Sequence, residues 1–575
     1  MDTGAGADGA DGMDGLARQQ EVLPGLLATL PDSYGKEPMP PHMLDYPLLL
    51  STLYERAVRI YPHQEIVSVN PDGSVHRTDY GETDLRIRKL VSALAGLGIE
   101  PGDPVGTLAF NTHRHHEVYW ATANTGRICH TVNIRLFPEQ IRYIVDHARD
   151  RVVFVERSQL PTVEPLAADL PGVANWVLMD CEPSETSLPG AIGYEDLIAD
   201  AAPAGEWPQL DERSPHMYCY TSGTTGNPKG VAYTQRSTYL HTLTAIAYRP
   251  VGPPDNVMPV VPMFHAAAWG LPFTGTAAGA KLTYPGEDLS AVALVDLIEG
   301  EQVTFSAGVP TVWLAIQHYL DANPDRDTSS IHSFLCGGSA VPRAMIDWFW
   351  RNRGIRVVHA WGMTETNPLA TMANLRPEME SWDWERQLDF LETQGLPAPG
   401  LRVKIVDDEG EELPHDGEAF GELLIQGPWI AAEYLRDPRS AETMVDGWLR
   451  TGDVCKITPE GYVRITDRSK DVIKSGGEWI SSIDVENVIM GHPKVTEAAV
   501  VGLAHPKWQE RPVALVVVQA GVQVTGEDMA SYLSGKVARW WLPDEYVFVD
   551  EVPKTSTGKF DKKVIRDAYS DLLQR

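Results

Sequence analysis

The sequence predicts an α/β protein: a large N-terminal domain of β-sheets covered by helices, followed by a small, mobile α+β C-terminal domain. Three observations carry this. Between about residues 281 and 359, short apolar runs alternate with stretches of helical period, a β-α-β-α-β rhythm that implies a mostly parallel sheet. After about residue 400 the texture changes to shorter strands and turns. And 575 residues are more than one core serves, so two or more domains are expected.

Taken in order, residues 1–17 are small and acidic with no aromatic, and read as a disordered tail. Residues 18–469 are assigned to the large domain and 470–575 to the small one. A helix is expected over 49–61 and a strand over the apolar run 152–155. In the middle, strands at 281–284, 303–307, 333–336 and 356–359 interleave with helices at 291–298, 311–320 and 343–350. In such sheets ligands bind where strands end and loops begin. Strands at 402–406 and 422–425 and a hairpin at 453–465 follow. Asp467-Arg468-Ser469-Lys470 is the candidate boundary. Beyond it come a helix over 481–490, with Ser481 and Asp484 spaced as a capping box, strands at 498–502 and 513–518, and a helix after Thr525.

Composition excludes several classes. A net charge of −31 repels phosphate backbones and anionic lipid, which argues against nucleic-acid or membrane-surface partners. Cys129, Cys181, Cys219, Cys336 and Cys455 are odd in number and widely spaced, unlike a disulfide framework or a zinc site, and fit a reducing cytoplasm. The N-terminus lacks the charged and apolar regions of a signal peptide, and no run of 18 apolar residues occurs.

Four segments carry chemistry. In Tyr220-Thr221-Ser222-Gly223-Thr224-Thr225-Gly226-Asn227-Pro228-Lys229-Gly230, glycines permit tight turns with bare N–H groups, and hydroxyls and an ammonium add donors, a cradle for polyphosphate. The lysine spacing is not that of a Walker A loop, which removes P-loop kinases. In Trp361-Gly362-Met363-Thr364-Glu365-Thr366, a carboxylate among hydroxyls at a strand's end suits Mg²⁺ beside phosphates, though taken singly it also reads as a surface turn. Asp453, closing Asp446–Asp453, can accept both ribose hydroxyls or be an ordinary turn residue. Lys559, after Gly558 in a Pro553–Phe560 loop, is bound for an active site or for solvent. His113-Arg114-His115-His116-Glu117 resembles a metal cluster, but Asn111 and Thr112 make it the first turn of a helix. Trp382 and Trp384 read equally as an active-site cover or as surface.

These four segments, in this order, resemble the adenylate-forming superfamily of acyl-CoA synthetases, adenylation domains and luciferases over residues 45–570. Within it, Val261–Gly270 and Asp467–Ser481 are most similar to bacterial medium- and long-chain fatty acyl-CoA synthetases and methylmercaptopropionate-CoA ligases. The resemblance implies ATP, Mg²⁺ and coenzyme A acting with a small-molecule carboxylic acid. It implies that Thr221, Ser222, Gly223, Thr224, Thr225, Gly226 and Lys229 hold the ATP phosphates, and that Thr224 and Glu365 ligate Mg²⁺. Thr364 would contact the α-phosphate. Gly338, Ser339 and Trp361 would line the adenine slot, and Asp453 and Arg468 would hold the ribose. Lys559 would bridge carboxylate and α-phosphate. Lys470 would be a hinge about which the small domain turns, replacing Lys559 by a face with Lys474, Gly476, Gly477 and Trp479 for coenzyme A. His265, also a catalytic candidate, and Trp269, as a gate, would line the acyl pocket. Amino-acid-activating relatives have an aspartate where His265 stands, so an amino acid, whose ammonium would be buried unpaired, is a poor candidate. The resemblance also allows a homodimer. Three alternatives stay open: a short, functionalised or aryl acid; transfer to a carrier protein; and a non-catalytic nucleotide-binding paralogue, against which the intact Lys229, Glu365, Asp453 and Lys559 argue.

Overall fold

Apolar runs of four to seven residues, separated by amphipathic helices, assemble two stacks of parallel strands in this computed structural model. Residues 43–575 are described, except 222–226, 250, 469–470, 476–477, 520, 555–559 and 575. The expected tail, 1–17, lies outside the described residues. The chain divides after Pro47, and the sheets and helices that follow all belong to the unit Leu48–Arg575.

The first sheet has nine strands. Its centre runs Arg356–Gly362, Ser333–Gly337, Phe305–Gly308, Asn256–Pro259, Lys281–Tyr284 and Glu65–Val69, all parallel. Antiparallel strands close both margins. Helices Ala291–Glu301, Pro310–Ala322 and Arg343–Arg353 make the crossovers, as the sequence pattern requires. A second sheet of seven strands holds Val152–Val155 and ends in the antiparallel pair Pro215–Tyr220 and Gly230–Thr234. The polyphosphate-type loop joins that pair. Only Val152–Val155 of this sheet is readable from sequence, because its other strands are short segments that mix polar and apolar residues, such as Ile-Cys-His-Thr at Ile128–Thr131.

Helix His113–Ala123 is buried along nearly its whole length, which settles the histidine cluster. Thr112 caps it by accepting from the His115 N–H. His115 bonds Phe110 O at 2.9 Å and Thr107 Oγ1 at 3.0 Å, and His116 bonds Tyr284 Oη at 2.7 Å. Burial lowers these imidazoles to about 4 and about 3, so they sit neutral in the core. Among the described residues no group of three or more His, Cys, Asp or Glu side chains could hold a metal, and no helix is long and apolar enough to cross a membrane. All five cysteines are unpaired.

A five-stranded sheet follows, in which Trp448–Ile457 pairs with Val463–Arg468 and puts Asp453 opposite Arg468. The last sheet is built on the long pair Val495–His505 and Gln509–Val518, with helix Ser482–Met490 against it. Ser481 caps that helix by accepting from the Asp484 N–H at 3.0 Å. Trp384 stacks on Trp350 with centroids 5.6 Å apart and donates to Asp347, while Trp382 lies under the Arg386 guanidinium. Neither tryptophan is among the residues that line the large cavity at the strand ends.

Candidate functional site

A cavity of about 1430 Å³ opens beyond the C-terminal ends of Phe305–Gly308, Ser333–Gly337 and Arg356–Gly362. Its floor is the two large sheets and its far wall is the small C-terminal module.

Close backbone packing explains the glycines here. A Cβ on Gly362 would lie 1.8 Å from Pro368 O, and one on Gly337 2.2 Å from Ala360 O. Gly338 takes φ +84, a conformation glycine adopts freely, and with Ser339 lines the cavity.

At the end of its strand, Trp361 donates its indole N–H to Asp453 Oδ2 at 3.0 Å. The other carboxylate oxygen pairs with Arg468 Nε at 2.7 Å. Asp453 is therefore gripped from both sides, with its own N–H on Thr451 Oγ1. The negative Asp453 also holds Arg468 above its usual pKa.

Next along the wall, the one-turn helix Thr364–Thr366 buries Glu365. Tyr434 donates its hydroxyl to Glu365 Oε1 at 2.6 Å, and the ammonium of Lys229 lies 4.4 Å from the same ring's centroid. Burial and the adjacent Glu365 keep the Tyr434 phenol well above its ordinary pKa, so it remains a donor. Tyr233 fixes the helix by donating to Thr364 O at 2.7 Å. Thr221 and Lys229 close the base of their loop with two hydrogen bonds, Thr221 N–H to Lys229 O at 2.9 Å and Lys229 N–H to Thr221 Oγ1 at 3.2 Å. Ser222, Gly223, Thr224, Thr225 and Gly226 lie outside the described residues.

The cavity also has an apolar lining of Val260, Val261, Phe264, Val309, Val312 and Leu314. His265 and Trp269 line it too. Ala266, Ala267, Ala268 and Trp269 take φ of 40, 46, 51 and 52 and form a left-handed turn that ends at Gly270. Such a run costs about 1 kcal/mol or more per residue and is found where surrounding structure imposes it. It carries the Trp269 ring to within 3.4 Å of the position a Gly337 Cβ would occupy. Beneath the turn, His241 is buried against Gly270 with neither ring nitrogen hydrogen-bonded, and burial lowers it to about 4.

From the small module, Lys554, Phe560, Asp561, Lys562 and Arg566 line the cavity. Lys554 and Phe560 pair as a β-bridge, and both line the cavity. Lys559 itself, like Lys470, Gly476 and Gly477, lies outside the described residues. Lys474 sits exposed on Ile473–Ser475, in backbone register with Trp479 on Glu478–Ile480, and Lys474 is not among the cavity's lining residues. The structure thus gathers Thr221, Lys229, His265, Trp269, Gly338, Ser339, Trp361, Thr364, Glu365, Asp453 and Arg468 around one space and leaves Lys474 off it. Tyr434 and Tyr233 escape a reading of the sequence. Each is a lone tyrosine with no motif spacing, made relevant only by a contact to Glu365 or Thr364 across more than 60 residues of chain.

Sequence profiles match in two places: "AMP-binding enzyme" over residues 54–435 and "AMP-binding enzyme C-terminal domain" over 484–559. The 3-methylmercaptopropionyl-CoA ligase of Ruegeria lacuscaerulensis is 44% identical over 92% of this chain and 99% of its own. The medium-chain-fatty-acid–CoA ligase of Ectopseudomonas oleovorans is 42% identical over 93% and 98%, and the long-chain-fatty-acid–CoA ligase of Thermus thermophilus 44% identical over 92% and 97%. Among solved structures, the anthranilate CoA ligase AuaEII in complex with anthranoyl-AMP shares the fold, with a TM-score of 0.82 at 24% identity over 92% of this chain and 99% of that one.

Proposed function

The chain belongs to the AMP-binding enzyme family and is an AMP-forming acid–thiol ligase, and we propose that its acid is a medium- or long-chain fatty acid. The observation that carries this is the lining of one cavity: the charged and hydroxyl-bearing Thr221, Lys229 and Glu365 share it with the apolar Val260, Phe264 and Leu314. Such a cavity suits a nucleotide whose reacting phosphorus meets the carboxylate of an apolar chain.

In this reading the nucleoside end packs against Trp361, Gly338 and Ser339. Asp453 accepts from the ribose hydroxyls while Arg468 and the Trp361 N–H hold its carboxylate still. Lys229 faces the phosphates. Glu365, buried and aimed by the Tyr434 hydroxyl, fits a hard divalent ion, and with Thr224 would hold Mg²⁺. That ion would spread the negative charge of the phosphates. The carboxylate of the acid attacks the α-phosphorus and pyrophosphate leaves. One anion is approaching another, so cations must meet the gathering charge, and Lys559 completes that set from the small domain. The coenzyme A thiol then attacks the acyl carbonyl, giving thioester, AMP and a proton. Lys554 and residues 560–562 line the cavity and Lys474 does not, which fits the arrangement for the first step. The second would need the small domain to turn about Lys470 and bring Gly476, Gly477 and Trp479 across.

Acid-dependent exchange of pyrophosphate into ATP tests the first step. AMP release that also requires coenzyme A tests the second. A second reading, 3-methylmercaptopropionate as the acid, is favoured by the 44% identity to the Ruegeria ligase, equal to that of the long-chain enzyme. Turnover compared across a series of acids separates the two.

A further inference from the structure

We propose that Lys562, outside the residues assigned above, is a positioning residue for the first half-reaction. Its ammonium bolts the last helix to the junction between the domains and so sets where Phe560 and Asp561 meet the cavity. The inference rests on the ligase reading of this site.

Lysine is an odd choice for this place. It opens helix Lys562–Tyr569, at the positive end of the helix dipole, and its side chain is only 12% exposed. Both circumstances disfavour a cation, so specific partners must hold it. They do. Nζ lies 2.8 Å from Glu486 Oε1 and donates to Ser482 Oγ at 2.5 Å. Ser482 in turn gives both its hydroxyl and its backbone N–H to Asp467 Oδ2, at 2.5 and 2.9 Å. Glu486 also accepts from the Val500 N–H at 2.8 Å, which ties the pair to the small sheet. Burial opposes the Lys562 charge, but Glu486 and Asp467 outweigh it and keep the group above its ordinary pKa. One turn on, Arg566 pairs with Asp471 at 2.7 Å.

The geometry of these contacts gives them their meaning. Asp467 and Asp471 bracket residues 469–470, where the large domain hands over to the small module. Asp467 also immediately precedes Arg468, the residue that grips Asp453. The path Trp361–Asp453–Arg468 on the large domain therefore continues through Asp467 and Ser482 to Lys562. On the other side, Lys554 and Phe560 are bridged, Asp561 N–H donates to Pro553 O at 2.8 Å, and Lys554 pairs with Glu497 at 2.6 Å. The base of 555–559 thus moves with the small module, and Asp467–Ser482–Lys562 fixes that module against the ribose-side carboxylate. A lysine needed only for solubility would be in water.

The test separates the half-reactions in the full-length protein. Lys562→Met is expected to lower kcat for acid-dependent ATP–pyrophosphate exchange by about thirtyfold, the scale of a misplaced catalytic group, with the KM for ATP little changed. Thioester formation from supplied acyl-adenylate and coenzyme A stays within about twofold, and Lys562→Arg recovers most of the exchange. Equal loss in both half-reactions, or none in either, overturns the proposal. Should Lys562→Met not fold, Lys562→Met/Glu486→Met, which strands no buried charge, is put through the same two assays, and the same outcomes support or overturn the proposal. No acid-dependent exchange in the unaltered enzyme would overturn the ligase reading and this inference with it. Exchange indifferent to Lys562 overturns the inference alone.

Discussion

The Tyr434 hydroxyl and the Glu365 carboxylate make the shortest test of the site at the residue scale. Glu365→Gln keeps the shape but removes the charge proposed to hold the metal, and should cost about 3–4 kcal/mol of barrier, roughly a hundred- to thousandfold in exchange rate. Tyr434→Phe removes only the 2.6 Å hydrogen bond that aims that carboxylate, and should cost about 1–2 kcal/mol, or about tenfold. Exchange rates and their Mg²⁺ dependence measure both. A Tyr434→Phe loss as large as that of Glu365→Gln would mean the tyrosine itself touches substrate. Asp453 and Glu365 were legible in the sequence because motif order singles them out. Tyr434 and Ser482 were not, because their meaning lies entirely in side chains distant in sequence.

At the scale of elements, the left-handed turn Ala266–Gly270 and the junction at 469–470 divide the work. The turn was invisible in sequence. Three alanines promise ordinary helix, yet all take positive φ where Gly270 packs on His241 and the Trp269 ring on Gly337. The turn holds Trp269 over the end of Ser333–Gly337, beside the apolar lining. Trp269→Ala is expected to shift the preferred acid toward longer or bulkier chains while leaving the KM for ATP within about twofold, since the indole lies on the acyl side. An unchanged chain-length profile would return Trp269 to plain packing. For the junction, Lys470→Pro should leave exchange largely intact and slow thioester formation, the reverse of Lys562→Met. Equal loss of both half-reactions would remove Lys470 as a hinge. The regular elements were far more readable. Helix Pro310–Ala322, strand Arg402–Val406 and helix Ser482–Met490 fall within two residues of their expected bounds because period and caps agree there.

At the scale of the whole molecule, deeply buried histidines shape the response to acid. Burial lowers His115, His241 and His359 to about 4 and His116 and His216 to about 3, from an ordinary value near 6.5. Above pH 6.5 these groups are neutral folded or unfolded and contribute no pH dependence. As pH falls from 6.5 toward 4 the unfolded chain takes up protons that the fold refuses, so stability falls, by about 1.4 kcal/mol per pH unit for each histidine. Glu156, raised by burial to about 8, works in the opposite direction, as do Glu117, Asp150, Asp467, Asp484 and Glu486, which burial also raises. Urea midpoints should drop between pH 7 and pH 5 as the histidines outweigh these carboxylates, and a flat profile would contradict that balance. The two-domain α/β plan was legible from rhythm and length. The second parallel sheet was not, since its short strands gain their identity from neighbours on either side.

The most direct measurement is AMP release from ATP and Mg²⁺, with and without coenzyme A, across straight-chain acids from acetate to stearate, 3-methylmercaptopropionate and aryl acids. Release is expected to require both acid and coenzyme A and to peak among medium or long chains. A peak at 3-methylmercaptopropionate would move the substrate while keeping the chemistry. Pyrophosphate release indifferent to coenzyme A, or no turnover with any acid, would contradict the central claim that this cavity makes acyl thioesters.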